Sequence, residues 1–253
     1  MPDGLRLALT TLTVLPVRGP AALDRRTAGT AMTLAPLVGV PLALVAAAVG
    51  EAVHAAGASL LAAVLVVVVL ALLTRGLHLD GLADTVDGLS SYRPPEQALA
   101  VMRSPEVGPL GVSALVLVLL TQVSALLACE RAGRGAAAVL VAVVTARLVV
   151  TLACTAATPA ASPTGLGALV AETVPRLRAA VALGLVLVAS VAVSVVEEDL
   201  PLWLGPLAVT AAVLGAGVLR RHAVRRLGGI TGDVLGALVE TSTAVALVVL
   251  AVG

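Results

Sequence analysis

Long apolar segments alternate with short polar ones along almost the entire chain of 253 residues. Runs of about 20 apolar residues with few charges are typical of transmembrane helices. The candidate spans cover residues 30–50, 58–73, 108–129, 136–157, 180–196, 200–219 and 234–252. A shorter segment, 5–15, is predicted to form an interfacial helix or a short eighth insertion. The pattern predicts an all-α polytopic integral membrane protein with about seven transmembrane helices, folded as one multi-pass domain over residues 1–253.

The composition agrees with a membrane protein and argues against nucleic-acid binding. The mean hydropathy is +1.09, and 59% of the residues are hydrophobic, which makes the lipid bilayer the expected surroundings. With one Trp, one Tyr and no dense basic patch with interleaved aromatic residues, we expect no nucleic-acid partner. Cys129 and Cys154 lack paired spacing and are predicted to be small apolar core residues. The sequence leaves open whether the protein forms a homo-oligomer.

Basic residues are distributed unevenly between the two sides of the predicted bundle. Seven spans place the N-terminal segment and the loops 74–107, 158–179 and 220–233 on one side. That side carries thirteen Arg residues, whereas the other side, with residues 51, 130–135 and 197–199, carries two. Because basic residues are enriched in cytoplasmic loops, we expect a multi-pass protein of the cell inner or plasma membrane with these three loops in the cytoplasm.

Three acidic residues stand close together in the first of these loops. Asp80, Asp84 and Asp87 are spaced i, i+4 and i+7, so on an α-helix their carboxylates share one face. Like charges on one face repel each other unless a cation lies between them. Mg²⁺ is commonly held by a few carboxylates together with substrate phosphates. The spacing therefore predicts a Mg²⁺ site, and the alternative is a solvated acidic helix face.

Two further segments of the same side suit phosphate binding. Arg103 precedes the segment 104–111, in which the backbone amides of Gly108 and Gly111 are candidates for contact with a phosphate. The alternative for this segment is a plain turn from loop to helix. A basic cluster near the last span suits either phosphate binding or anchoring at lipid headgroups. Its members are Arg220, Arg221, His222, Arg225 and Arg226.

A glycine-rich turn with an acidic residue opens the last span. Gly232 and Asp233 lie in this turn, and Glu240 follows seven residues after Asp233, on the same face of a helix. An ionisable residue within the bilayer usually faces a charged partner or a water-filled site. Arg147, within the fourth span, is a natural partner, which gives the interpretation of a buried Arg147–Glu240 pair. The other interpretation, which we prefer from the sequence, assigns Glu240 to a site shared with Asp233.

Four segments resemble the cobalamin synthase family, also called adenosylcobinamide-GDP ribazoletransferases. Residues 76–88, with the sequence G-L-H-L-D-G-L-A-D-T-V-D-G, are similar to the hallmark motif of that family. Segments 9–17, 102–111 and 227–237 are similar to its opening segment, its M-R-D-x-x-x-G-x-x-G motif and its late L-G-G-x-T-G-D-x-x-G-A motif. Ser104 stands where an Asp is common in the second of these motifs.

The resemblance implies a membrane transferase of the last stage of adenosylcobalamin assembly. Adenosylcobinamide-GDP would react with α-ribazole, or with its 5′-phosphate, to give adenosylcobalamin, or its 5′-phosphate, and GMP, with Mg²⁺ as cofactor. Asp80, Asp84 and Asp87 would hold the metal, Asp233 would complete its shell or act as a base, and His78 is a second candidate base. The expected catalytic residues are thus Asp84, His78 and Asp233. Phosphate contacts are expected from Arg103, Gly108, Gly111, Arg225 and Gly232, with Arg147 and Glu240 nearby.

Two other functions compete with this one. A phosphotransferase of the CDP-alcohol type also uses clustered Asp residues, but here no Arg follows Ala83 and the acidic residues are closer together than in that motif. A cation-coupled transporter would use the same acidic residues without breaking a bond. Internal repeats would favour a transporter, and we find none in the sequence. Motifs of P-loop NTPases, zinc proteases and serine hydrolases are also absent from the sequence.

Overall fold

A computed structural model describes residues 1–197 and 200–253, and its regular structure there is helical. The helices are α1 (Asp3–Leu12), α2 (Arg25–Thr33), α3 (Ala35–Ala55), α4 (Ser59–Leu73), α5 (Leu77–Ser90), α6 (Pro95–Met102), α7 (Pro109–Arg131), α8 (Gly135–Ala153), α9 (Gly165–Val170), α10 (Arg176–Val196), α11 (Leu204–Leu227) and α12 (Gly232–Val252). The prediction of an all-α protein is confirmed.

Six of these helices are long and apolar enough to cross a membrane by themselves: α3, α7, α8, α10, α11 and α12. Helices α4 and α5 pass the same test only as a pair, and a bend of 89° separates them. The described residues therefore contain six candidate spans, or seven when the bent pair is counted as one. The prediction of about seven transmembrane helices is confirmed.

The first predicted span is divided between α2 and α3. Pro36 occupies the first turn of α3. Because proline has no backbone N–H and its ring clashes with the carbonyl four residues earlier, a continuous helix through this point is disfavoured. Helix α2 has its own N-cap, Asp24, whose carboxylate accepts a hydrogen bond of 2.7 Å from the Thr27 amide. The segment predicted as one span is thus a short capped helix followed by a spanning helix.

The basic cluster predicted to lie in a loop is instead helical. Helix α11 continues to Leu227 and includes the whole segment 220–226, about two turns beyond the predicted end of the span. Gly228 ends the helix with a φ of 83°, a conformation that glycine adopts without steric cost. The Arg side chains therefore project from a rigid helix end rather than from a flexible loop.

The predicted functional loops lie at one end of the bundle, which we call the motif end. The Val14 amide donates to the Leu73 carbonyl at 2.7 Å, so the segment after α1 lies against the end of α4. The Ala161 amide donates to the Ile230 carbonyl at 3.0 Å, which joins the loop after α8 to the turn before α12. Arg103 reaches the same loop, because its guanidinium donates to Ser162 at 3.0 Å. These contacts confirm that the three loops share one end.

The other end of the bundle gathers the remaining connections. The Ala136 amide at the start of α8 donates to the Glu51 carboxylate at 3.2 Å. His54 lies 3.5 Å from Glu130, so the ends of α3 and α7 also meet there. Residues 198 and 199, predicted for this side, lie outside the described residues. The chain passes between the two ends seven times, through α3, α4, α7, α8, α10, α11 and α12.

The short N-terminal helix α1 packs against the bundle. Its Leu7, Ala8 and Leu12 side chains are buried. Gly4 allows a close approach to α2, because a Cβ atom at this position would lie 2.6 Å from a methyl carbon of Thr30. With ten residues, α1 is roughly 15 Å long and cannot cross a bilayer. Of the two predictions for this segment, a helix that does not span is the one that agrees with the structure.

Candidate functional site

Helix α5 carries the acidic motif and lies across the motif end. Near its start, Gly81 faces the backbone of Asp233 so closely that a Cβ atom would lie 2.7 Å from the Asp233 carbonyl oxygen. Near its end, the side chain of Asp87 reaches Gly108 and Gly111. These neighbours begin α12 and α7, which both start at the motif end. Helix α5 therefore bridges the starts of two spanning helices and does not itself cross the membrane.

The two long faces of α5 have different surroundings. Asp80, Asp84 and Asp87 share one face, on which Asp80 is exposed and the other two are partly exposed. His78 is 5% exposed and points the other way, since two residues correspond to a rotation of about 200° in an α-helix. The predicted helix and the shared carboxylate face are confirmed. The structure does not, however, bring His78 to the carboxylates.

Asp87 caps the start of α7. One of its carboxylate oxygens accepts a hydrogen bond from the Gly108 amide at 2.7 Å, and the other accepts one from the Gly111 amide at 2.8 Å. The first amides of a helix have no partner within the helix, so a carboxylate satisfies them and also interacts favourably with the helix dipole. A phosphate contact at Gly108 and Gly111, as predicted, would first require Asp87 to leave. The sequence analysis missed this cap.

Asp84 lies among several other carboxylates. Burial, together with the negative charges of Asp80, Asp233 and Asp87 in that order of importance, raises the pKa of Asp84 from 3.8 to about 6. Asp233 is contributed by α12, where Thr231 caps the helix by accepting from the Val234 amide at 3.2 Å. The Thr231 hydroxyl also donates to Asp233 at 3.2 Å and so fixes its carboxylate. The predicted association of Asp233 with the motif is thus seen in the structure.

The donor set suits a cation that is shared with a phosphate. Among residues 1–197 and 200–253, no group of three or more His, Cys, Asp or Glu side chains is placed so that it could hold a metal ion. The carboxylates of Asp80, Asp233 and Asp87 nevertheless add to the effect of burial in raising the pKa of Asp84. Mg²⁺ requires oxygen donors and usually takes one or two carboxylates, with phosphate and water completing its shell. The arrangement fits that mode of binding and does not fit a closed protein cage.

Basic and aromatic side chains also lie at the motif end. Arg220 donates to the hydroxyl of Thr158, and Arg225 is exposed. The guanidinium of Arg226 lies 5.7 Å from the centre of the Tyr92 ring, and Tyr92 is 86% exposed. The sequence analysis missed Tyr92, although its isolated position just after the motif was a usable signal.

The turn before Asp233 is held by the loop after α8. The Ile230 amide donates to the Pro159 carbonyl at 2.9 Å. Gly229 packs directly on residues 159–161, where a side chain would collide with their backbone. Gly232, predicted to contact phosphate, packs beside the Leu166 side chain, which a Cβ atom would approach to 3.4 Å. Gly229 therefore permits the close backbone packing that positions the turn before Asp233, whereas the contact at Gly232 is an ordinary one with a side chain.

Arg147 and Glu240 lie with His78 at a buried cavity beneath α5. Arg147 is 3% exposed. Glu240 accepts a hydrogen bond of 2.8 Å from Gln122, a residue that the sequence analysis missed. Burial lowers the pKa of His78 well below 6.5, so its imidazole is neutral. This position argues against the preferred assignment of Glu240 to the Asp233 site and against His78 as a base beside the carboxylates.

Comparison with known proteins agrees with this arrangement. The family model of cobalamin-5-phosphate synthase matches residues 4–251. The chain belongs to the cobalamin-5-phosphate synthase family. As a member of this family it is a transferase of cobalamin biosynthesis. The match supports the resemblance seen in the four sequence motifs rather than a CDP-alcohol phosphotransferase or a transporter.

Curated relatives carry the name adenosylcobinamide-GDP ribazoletransferase. One from Frankia casuarinae is 46% identical over 97% of this chain and 93% of its own length. One from a Nocardioides species is 44% identical over 98% and 97% of the two chains. One from Pseudomonas aeruginosa is 38% identical over the same shares. No solved structure matches the chain.

Proposed function

We propose that this member of the cobalamin-5-phosphate synthase family transfers adenosylcobinamide phosphate from adenosylcobinamide-GDP to α-ribazole or α-ribazole 5′-phosphate. The hydroxyl oxygen of the ribazole attacks the phosphorus on the cobinamide side of the diphosphate. The bond from that phosphorus to the bridging oxygen breaks, and GMP leaves with the bonding electrons. The observation that supports this chemistry best is the group of Asp80, Asp84 and Asp233 carboxylates at one end of the bundle.

The carboxylates would bind the diphosphate through a divalent cation. One or two of the Asp80, Asp84 and Asp233 carboxylates would hold Mg²⁺ together with the diphosphate, and when bound it would neutralise charge on the leaving phosphate. Asp87 contributes differently from the role predicted for it, because both of its oxygens hold the start of α7. It therefore fixes the end of α5 and, with it, the orientation of the metal-binding face.

Basic side chains at the rim would orient the nucleotide part of the donor. Arg103 is held by Ser162 with its guanidinium at the motif end, and Arg225 is exposed there. Arginine pairs with phosphate oxygens through several N–H groups in a fixed plane. We assign both to the phosphates of the donor. The hydroxyl proton of the acceptor would pass to Asp233 or to water, since His78 faces away from the site.

A reconstituted reaction tests the proposed activity. Purified protein in detergent is incubated with adenosylcobinamide-GDP, α-ribazole and Mg²⁺, and both GMP and the corrinoid product are measured by mass spectrometry. We expect the two products in equal amounts. Formation of neither product, with intact donor, would contradict the proposal. Replacing α-ribazole by its 5′-phosphate at equal concentration identifies the preferred acceptor.

We also propose that the motif end faces the cytoplasm across the cell inner or plasma membrane. Thirteen Arg residues belong to that end and two to the other, as the positive-inside rule requires. Single cysteines can be placed at Thr164, exposed at the motif end, and at Ala132, exposed at the other end. A membrane-impermeant maleimide added to intact cells should label only Ala132→Cys. Labelling of Thr164→Cys instead would reverse the orientation.

A further inference from the structure

We infer that the cavity beneath α5 is a hydration site, in which water joins the Arg147 guanidinium to the Glu240 carboxylate. The cavity has a volume of about 30 Å³ and lies where α4, α5, α7, α8 and α12 meet. Apolar residues form part of its wall, but six polar side chains also reach it. They are Thr74, His78, Gln122, Arg147, Glu240 and Thr243.

The Arg147 side chain lines this space. The residue is 3% exposed in the middle of α8, and its Nε–H finds no acceptor among residues 1–197 and 200–253. A buried polar group without a partner costs free energy, and a buried charged group costs more. Polar partners within the cavity would therefore lower the cost of holding the Arg147 guanidinium at this position.

Glu240 is the opposite charge at this cavity, but it does not contact Arg147 directly. The ion pairs shorter than 4.0 Å within the described residues do not include these two side chains. One Glu240 oxygen is engaged by Gln122 at 2.8 Å. Although Glu240 lies two turns into α12, it is only partly buried, in agreement with its place on the cavity wall. The cavity thus separates two charges that attract each other.

Size and charge together select water as the occupant. A cavity must offer about 10–15 Å³ to the centre of a water molecule in order to hold one, and the water requires two to four polar partners. The cavity meets both conditions, whereas an organic molecule is too large for it. Arg147 and Glu240 balance each other in charge, so a neutral ligand fits better than an ion. Empty cavities in proteins are lined by apolar groups, unlike this one.

Because His78 also lies on the wall, the hydrated cavity supports the buried face of α5. Arg147 and Glu240 are then structural residues of the bundle, on the side of α5 opposite to its carboxylates. This inference does not depend on the reaction that the protein catalyses. It accounts for two charged residues in the membrane region that the proposed chemistry does not use.

A structure determined at a resolution that shows ordered water tests the inference directly. Density within hydrogen-bond distance of both the Arg147 guanidinium and a Glu240 oxygen is the expected result. A direct contact between the two side chains, or a cavity without density, would overturn it. The measurement requires only the purified full-length protein in detergent or a lipid disc.

A pair of cavity-filling variants provides a second test. Val143→Ile adds one methylene to the wall of the hydrated cavity, where it should displace water and lower the melting temperature. The matched control, Val186→Ile, adds the same group to an apolar cavity of about 210 Å³ between α3, α8, α10 and α11, where it should be neutral or stabilising. If Val143→Ile raised the melting temperature as much as the control, the cavity would be dry and the inference wrong.

Discussion

The charges on the two faces of α5 differ in whether the protein itself balances them. On the face toward the motif end, Asp80, Asp84 and Asp87 lie near Asp233 and repel one another. On the buried face, Arg147 and Glu240 have opposite signs and share a polar cavity with His78. The first arrangement is electrostatically incomplete without a cation, whereas the second is balanced within the protein. The comparison indicates which charges serve the reaction and which serve the fold.

The largest effect is expected from Asp84→Asn, which keeps the shape of the side chain and removes its charge. Activity should fall by orders of magnitude, because Asp84 lies among the other carboxylates and the charges of Asp80, Asp233 and Asp87 all act on it. Added Mg²⁺ should restore activity only in part. Turnover in the reconstituted reaction measures the effect. Glu96→Gln, an exposed carboxylate of α6, is the matched control and should remain active.

Normal turnover of Asp84→Asn at ordinary Mg²⁺ concentration would remove Asp84 from the site. A loss of activity accompanied by a large drop in melting temperature would assign the residue to the fold instead. Because only Asp87 on the carboxylate face holds a neighbouring helix, Asp80 and Asp84 should lose their charge without loss of stability.

The buried face should respond in the opposite way. Arg147→Leu leaves Glu240 buried without its balancing charge, which typically costs roughly 3–5 kcal/mol of stability. Glu240→Leu should cost a similar amount because it isolates Arg147. The double variant should be more stable than either single variant and should retain activity. Thermal unfolding in detergent and turnover, measured on the same samples, test both statements.

A double variant that folds but has no activity would return Glu240 to the catalytic site, the assignment that the sequence pattern favoured. A double variant no more stable than the single ones would show that the two charges are not coupled. Either result would remove the distinction between the two faces.

Apolar runs were enough to predict about seven spans, and residue spacing was enough to predict the carboxylate face, because both are local properties of one segment. The partners of Asp87 and Glu240 were not predictable in this way. Gly108, Gly111 and Gln122 are reached only when α7 is packed against α5 and α12. The glycines were predicted to contact phosphate because a pattern of glycines indicates accessible amides but not the group that occupies them. Tertiary packing decides that occupant.

On the carboxylate face, Asp87 caps α7, whereas Asp80 and Asp84 are candidate metal ligands. Removal of Asp87 should therefore have a smaller effect than the variants above. Asp87→Ala deletes two hydrogen bonds to the start of α7. Loss of a helix cap costs about 0.5–2 kcal/mol, so Asp87→Ala should lower the melting temperature. Asp84→Ala, in contrast, should leave it nearly unchanged. Activity should fall as well, since the end of α5 is released. An Asp87→Ala variant as stable as wild type would argue against the cap and would favour the metal role predicted from the sequence.

The smallest effect concerns the stability of the metal-free protein as a function of pH. Because the pKa of Asp84 is raised from 3.8 to about 6 in the folded state, its ionisation opposes folding. The corresponding stability is present below pH 3.8 and is lost as the pH rises toward 6. Asp84→Asn has no such charge, so in the presence of a chelator it should melt slightly above wild type at pH 7.

The difference in melting temperature should be small, because Asp84 is partly exposed and solvent screens its interactions. It should vanish near pH 3.8, where the wild-type carboxyl is protonated in the folded state. Melting temperatures of both proteins measured across this range check the sign, and a wild type that is the more stable of the two at pH 7 would show that burial and the neighbouring carboxylates do not disfavour the charge of Asp84.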